Sequence, residues 1–202
     1  MTVRQGAILA LLALSLAGCG GGGDSTSGAS SASAGSGDSG PSPAAVCAKV
    51  REKPVTHIVE QAGASAPALR RSGRGTAQLI KCSFIANGVH VDFNLDLAAN
   101  SQQRFDNRVV EMTQFSNARP ATRPRPVPGV GDPKSGNEGA QWIPALDQLL
   151  AFRPGRYLIV DFSVEGASDD ANRAGAAALA RLAFPVLPRE KGAGRQRPSP
   201  GG

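Results

Sequence analysis

Val89-His90-Val91-Asp92-Phe93-Asn94-Leu95-Asp96-Leu97 is the stretch whose reading decides the fold. Apolar side chains at the odd positions alternate with polar ones at the even positions, the period of a strand with one buried face. Just before it stands Asn87-Gly88, the dipeptide that best tolerates the positive φ angles of a type I′ hairpin turn. The run 79–86 is then its partner strand, with Ile80, Cys82 and Phe84 on the inner face. A second hairpin is expected farther on. Tyr157-Leu158-Ile159-Val160-Asp161-Phe162-Ser163-Val164 again alternates, and Arg153-Pro154-Gly155-Arg156 is a turn back to Leu149-Leu150-Ala151-Phe152. Residues 140–143 add a further strand, with Trp142 in or near the core.

Helical patterns separate these strands. Ser42-Pro43 fits an N-cap followed by Pro at the first helical position. Pro54 interrupts the helical pattern begun there, so a helical turn around 47–50 and a helix over about 54–61 are expected. Phe105, Val109 and Met112 share one face of an amphipathic helix over 101–115. The last helix starts at Ser168 as N-cap, with Asp169 and Asp170 in its electropositive first turn. It runs through an alanine-rich stretch that permits close approach to a sheet, and ends before Pro185. Helices and hairpins in this order predict an α+β fold: a twisted antiparallel sheet of two hairpins with helices packed on one side. The segment 116–139, with Pro120, Pro124, Pro126 and Pro128 followed by Gly129-Val130-Gly131-Asp132, reads as a loop long enough to be functional or mobile.

Outside that domain the chain is of a different kind. Arg4 precedes an apolar run over 6–17, which is too short to span a bilayer but suits the hydrophobic region of a signal peptide. The run ends Leu16-Ala17-Gly18-Cys19, which resembles the bacterial lipobox. That resemblance implies removal of residues 1–18 and alkylation of the Cys19 thiol by a diacylglyceryl group carrying acyl chains such as palmitate. Residues 19–43 then form the lipidated cysteine and a flexible Gly/Ser linker, 44–188 the globular domain, and 189–202 a disordered basic tail. The protein is expected at the cell membrane, lipid-anchored and facing the extracytoplasmic side.

Assigning Cys19 to lipid leaves Cys47 and Cys82, an even pair in an oxidising compartment, and a disulfide between them is expected. The chain-entropy value of closing a loop of about 36 residues is roughly 4 kcal/mol. Two cysteines with only His57 and His90 do not supply a metal-ligand set, and no cofactor motif is present.

The domain also resembles an actinobacterial cell-envelope lipoprotein family classed as a domain of unknown function. The matching residues are Cys47, Val50, Val55, Ile58 and Gly63, then Cys82-Ser83-Phe84, then Gly129-Val130-Gly131-Asp132 and the terminal alanine-rich helix. Phe84 stands where the family carries Trp, and Val130 where it carries Leu. The resemblance spans about 45–185 and implies an envelope lipoprotein with no assigned activity.

The net charge of +6 is spread over domain and tail. Residues 44–188 carry 17 basic and 13 acidic side chains, and 189–202 four basic and one acidic. Aromatic residues are only 4% and no basic stripe is interleaved with them, which excludes a nucleic-acid partner. Anionic lipid or wall polymer suits the tail and Arg119, Arg123 and Arg125 better. His90, Asp92 and Asp96 share a strand face whose expected role is a solvated surface, and Asp161 is a candidate for a paired carboxylate beside it. His57 is expected to cap or pack on its helix, and no G-x-S-x-G nucleophile setting occurs. The expected function is a monomeric, non-enzymatic binding module for an envelope protein, wall polymer or lipophilic ligand. The alternatives are a hydrolase assembled around His90, Asp92 and Asp161, or a purely structural envelope protein.

Overall fold

A computed structural model describes residues 42–189 apart from 66, 121–122, 133 and 135–138. Cys19, the expected signal peptide, the linker up to residue 41 and the tail beyond Arg189 lie outside the described residues. Ser42 caps α1 (Pro43–Ala48): its hydroxyl accepts the Ala45 N–H (3.3 Å), and Pro43 opens the helix. α2 (Glu52–Gln61) begins slightly before the expected start and carries Pro54 in its first turn, where no intrahelical N–H is needed. Three strands come next, β1 (Arg70–Gly75), β2 (Leu79–Ala86) and β3 (Val89–Asp96), and then α3 (Ser101–Ala118). The chain continues through β4 (Arg125–Pro126), β5 (Ala140–Ile143), β6 (Gln148–Arg153) and β7 (Arg156–Val164). It ends in α4 (Asp169–Ala183), where the Ser168 hydroxyl accepts the Ala171 N–H (3.2 Å) and Asp169 and Asp170 fill the first turn.

The strands form one antiparallel sheet in the order β1-β2-β3-β7-β6-β5-β4. The α+β fold with an antiparallel sheet is therefore as expected, with more strands than the two hairpins and residues 140–143 supply. β3 pairs with β7 along its whole length, from Val89↔Val164 to Asp96↔Tyr157, and this joins the two hairpins. The Asn87-Gly88 turn differs in type from its expectation. Gly88 takes φ 68° but Asn87 is not left-handed, which fits a type II rather than a type I′ turn. The Gly88 carbonyl also accepts the Glu165 N–H (2.7 Å), so this turn is fixed from the end of β7. At the second hairpin Pro154-Gly155, with Gly155 at φ 75°, has the residue pattern of a type II turn.

The two sheet faces are covered differently. Val89, Val91, Phe93 and Leu95 of β3, Leu158, Val160, Phe162 and Val164 of β7, and Leu149 and Ala151 of β6 lie on one face in the main core. They pack with Val46 and Val50 near α1, Val55 and Val59 of α2, and Ala176, Leu179, Ala180 and Ala183 of α4. The placing of all helices on one side needs correction. Phe105, Val109 and Met112 of α3 pack instead against Ile143, Leu150, Phe152, Tyr157 and Ile159, which belong to the opposite face. The reason is that β5, β6 and β7 are apolar on both sides, so their second face must also be covered. Leu149-Leu150-Ala151-Phe152 is an unbroken apolar run for this reason.

β1 was not legible as a strand, because Arg70-Arg71-Ser72-Gly73-Arg74-Gly75 has no apolar alternation. It forms through backbone pairing to β2 and because Gly73 leaves room for α1. A Cβ at Gly73 would come 2.8 Å from Cys47 Sγ, 2.9 Å from the Pro43 carbonyl and 3.0 Å from Ala44 Cα. Across this contact Cys47 of α1 is disulfide-bonded to Cys82 of β2, with their Cα atoms 5.5 Å apart and both side chains buried. The segment 116–139 is tied to the sheet edge by β4, by the Val127 N–H to Ala140 (3.1 Å) and by the Asp132 N–H to Phe152 (2.9 Å). Val127 and Val130 are buried, and Gly129-Val130-Gly131 forms a turn, as its sequence suggests. Every residue of both apolar clusters lies between 46 and 187, so this unit has a core of its own.

This packing has two measurable consequences. Gly175 of α4 lies against the Phe162 ring of β7 with no room for a Cβ. Gly175→Ala should therefore lower stability by about 1–3 kcal/mol in urea unfolding, although helix propensity alone favours alanine by about 0.8–1 kcal/mol. An unchanged or raised midpoint would show that α4 lifts from the sheet at little cost. Non-reducing peptide mapping should recover Cys47 joined to Cys82, and replacing both by Ala should cost about 2–5 kcal/mol. Free thiols at both positions would rule out the bridge.

Candidate functional site

The even positions of β3 face the side of the sheet that carries α3, and the register brings polar neighbours to them from three other strands. Asp92 stands opposite Ser83 of β2 and Asp161 of β7, and Asp161 stands opposite Gln148 of β6. Asn94 is opposite Lys81, and His90 is opposite Ser163. Two carboxylates thus face each other across a strand pair, an arrangement that is unfavourable unless each is compensated.

Each has its own donors. Lys81 Nζ lies 2.5 Å and His90 Nε2 3.1 Å from the same oxygen of Asp92, Oδ2. Asp92 is 1% exposed, whereas the side chains of Lys81 and His90 are about half exposed and reach in from the surface. Burial alone would raise the Asp92 pKa. The Lys81 ammonium, the nearby Ser83 hydroxyl and His90 outweigh it and hold the carboxyl below its ordinary value. The Ser83 contact is a loose one, since Asp92 Oδ1 makes no hydrogen bond of good geometry. Asp161 accepts from Gln148 Nε2 (2.7 Å) and Asn94 Nδ2 (3.4 Å). Asp96, at the end of β3, accepts the Ala98 N–H (2.9 Å) and the Arg104 guanidinium of α3 (2.9 Å).

The reading of His90, Asp92 and Asp96 as a solvated face therefore holds only for His90. Asp92 and Asp96 are buried because long basic side chains from β2, β3 and α3 bend over them. Asp161 meets Asp92 in register, but its expected pairing takes the form of hydrogen bonds from the amides of Gln148 and Asn94 and not of an ion pair. His57 lies apart, exposed on α2 and 3.1 Å from Gln61 Nε2. Lys81, Ser83 and Asn94 were missed although they follow from the hairpin: a turn at 87–88 fixes 81 opposite 94 and 83 opposite 92. Gln148 had no local signal, because it reaches the cluster only through the β3–β7–β6 order.

Chemically the cluster is an ion-pair network with an ionised acid at its centre. Such an acid is suited to hold cationic donors and unsuited to give up a proton. His90 spends Nε2 on Asp92, and no serine hydroxyl is hydrogen-bonded to its ring among the described residues. Among the described residues no group of three or more His, Cys, Asp or Glu is placed to hold a metal ion. No described helix is long and apolar enough to cross a membrane.

A second polar feature, unseen in the sequence, is structural. Buried Arg156 donates to the carbonyls of Phe184 and Leu187 (2.9 Å to the latter), and Arg153 donates twice to the Val130 carbonyl (3.1 and 2.9 Å). Both guanidiniums lie over the Phe184 ring, at 4.8 and 5.6 Å. Burial, with Arg189 and Arg153 nearby, lowers the Arg156 pKa to about 10, so it stays charged at neutral pH and holds the end of α4. Two surface grooves lie at the rim of the domain. One of about 550 Å³ is lined by Gly63, Ser65, Pro67, Asn87 and Glu165 among others. The other, of about 650 Å³, runs between Lys49, Arg51 and Pro54 and the end of α4 at Leu182 and Val186.

Comparison with protein-family models, with curated proteins and with solved structures finds no match to this chain.

Lys81→Met tests the ion pair. Because the Asp92 pKa is lower folded than unfolded, its carboxylate contributes stability above about pH 4 that is lost as the pH falls through the folded value. Removing Lys81 leaves burial less opposed, so the variant should lose about 1–3 kcal/mol at pH 7. The gap to the parent should narrow at acid pH, where Asp92 protonates in both. Urea unfolding over a pH series from 7 downward measures this, and a loss that stays constant to the acid limit of folding would mean that the charge of Asp92 is not involved.

Proposed function

We propose that this protein is a lipid-anchored lipoprotein of the bacterial cell envelope whose folded domain is a non-enzymatic binding module. The observation that carries the reading is Leu16-Ala17-Gly18-Cys19 at the end of the apolar run 6–17. On this reading residues 1–18 are removed, Cys19 receives the lipid, and the Gly/Ser segment up to residue 43 holds the domain near the bilayer. At about 5–6 Å times the square root of its length, that segment gives a reach of roughly 25–30 Å. Two or more acyl chains give stable anchoring where one does not.

The disulfide supports an oxidising compartment, since bridges of this kind persist outside the cytosol. His90 and Asp92 are engaged with each other and Asp161 with two amides, which favours binding over hydrolysis, because no activated nucleophile stands beside them among the described residues. The uneven cover of the sheet also favours binding. Three helices close one face, while α3 covers only part of the other, so that among the described residues no helix packs on the outer face of β1 and β2. A domain with a purely structural role has no evident need for an open, charged sheet face.

Growth with labelled palmitate should mark the parent protein and leave Cys19→Ala unmarked and of precursor size. Label retained by the variant, or absent from the parent, would refute the anchor.

A further inference from the structure

On the α3 side of the sheet, the register sets Arg70, Ser72 and Arg74 of β1 beside Ile85, Ser83 and Lys81 of β2. All of these except Ser83 are exposed. Leu79, farther along β2 on the same face, is 50% exposed and Ile85 46%, unusually high for large apolar side chains on a strand. Of the acids on this face, Asp92 is engaged by Lys81 and His90 and Asp96 by Arg104, while Asp161, on the β7 side, is held by the amides of Gln148 and Asn94. The side chains of Arg70 and Arg74 form no ion pair or hydrogen bond among the described residues, so they leave the β1 end of the face basic.

α3 forms a wall beside this floor. Arg104, Arg108 and Phe115 lie on one flank of the helix by their spacing of four and then seven residues. The Arg104–Asp96 bond shows that this flank looks toward β3. Phe115, farther along α3, is 52% exposed, and Arg108 is bonded to Glu111 (2.8 Å). The exposed face of β1–β3, with the Arg104 end of α3 at its border, is an open trough that carries Arg70, Arg74, Lys81, His90 and Arg104, with Leu79 and Ile85 exposed among them.

We infer that this trough binds a linear phosphate-bearing polymer of the cell envelope, a deepening that rests on the binding-module reading above. Charge complementarity selects an anionic occupant, and paired, fork-shaped arginine donors suit phosphate oxygens. Edge protection by charge explains basic residues on β1, but not the exposed Leu79 and Ile85 on the same face, which work against it.

The test is fluorescence-anisotropy binding of labelled linear polyphosphate to the mature protein in neutral detergent. Competitors are inorganic phosphate, poly-L-glutamate, and phosphatidylglycerol–phosphatidylcholine vesicles. Polyphosphate should bind with salt-sensitive affinity. Arg70→Ser with Arg74→Ser should weaken it at least tenfold without changing the melting temperature, since both sites are exposed. Removing residues 190–202 should change it less than threefold. The inference is overturned if polyphosphate does not bind, if the tail rather than the two arginines carries the binding, or if polyglutamate or vesicles compete as well as polyphosphate. Failure here leaves palmitate labelling at Cys19 intact, so the trough and the anchor are judged separately.

Discussion

The pairing of β3 with β7 is the contact on which the rest of the structure depends. Each hairpin closes through a short turn and forms locally, but a two- or three-stranded ribbon cannot bury the helices that flank it. Joining Val89–Asp96 to Arg156–Val164 across the intervening helix and loop makes a sheet wide enough for α1, α2 and α4 on one face and α3 on the other. Closing so long a loop costs entropy that grows only slowly with its length. The return is large, since the seam sets Val91 beside Phe162, Phe93 beside Val160 and Leu95 beside Leu158 in one buried layer. The same seam sets Asp92 against Asp161 on the other face. Core and polar cluster are thus two sides of one register, and a slip by one residue would exchange them.

That duality explains what could be read in advance. The boundaries of β2, β3 and β5 follow from alternation and turn residues, because these strands obey local rules. α4 was legible from Ser168, Asp169 and its alanines for a similar reason. β1 was not, since its side chains carry no pattern and its place comes from Gly73 yielding to α1. The sidedness of the helices was also misjudged. Phe105, Val109 and Met112 announce a buried helix face without saying which sheet face receives it. The doubly apolar run 149–152 held that information, because a strand covered on one side only has no use for Leu150 and Phe152.

The site was legible to the same extent. Residues on one hairpin, His90, Asp92, Lys81 and Ser83, are fixed relative to one another by a single turn and follow from counting across it. Asp161, Gln148 and Arg104 enter through the long-range seam and through the helix it seats, and no spacing in the chain announces them. Buried Arg156 is the extreme case. It follows a turn glycine in a sequence that reads as surface, yet it secures the end of α4 because that helix packs back over the start of β7.

Why β3 places acids, not neutral polar groups, at its even positions can be argued from the cover they receive. Beyond the reach of α3 no apolar lid covers the face among the described residues, and its charges must be satisfied by neighbours that themselves stay wet. Lys81 and Arg104 meet this need: each reaches an acid with its charged end and keeps about half its side chain in solvent, and His90 adds a ring nitrogen to Asp92. The acids in turn hold these cations near the sheet, where the unpaired Arg70 and Arg74 add to them. Asp92 and Asp96 therefore do two things at once. They remove the like-charge repulsion that a purely basic face would suffer, and they gather cations around a surface whose remaining charge is positive. An open sheet face arranged in this way is already organised for an anionic partner, because the cations it presents are positioned by the fold before anything binds.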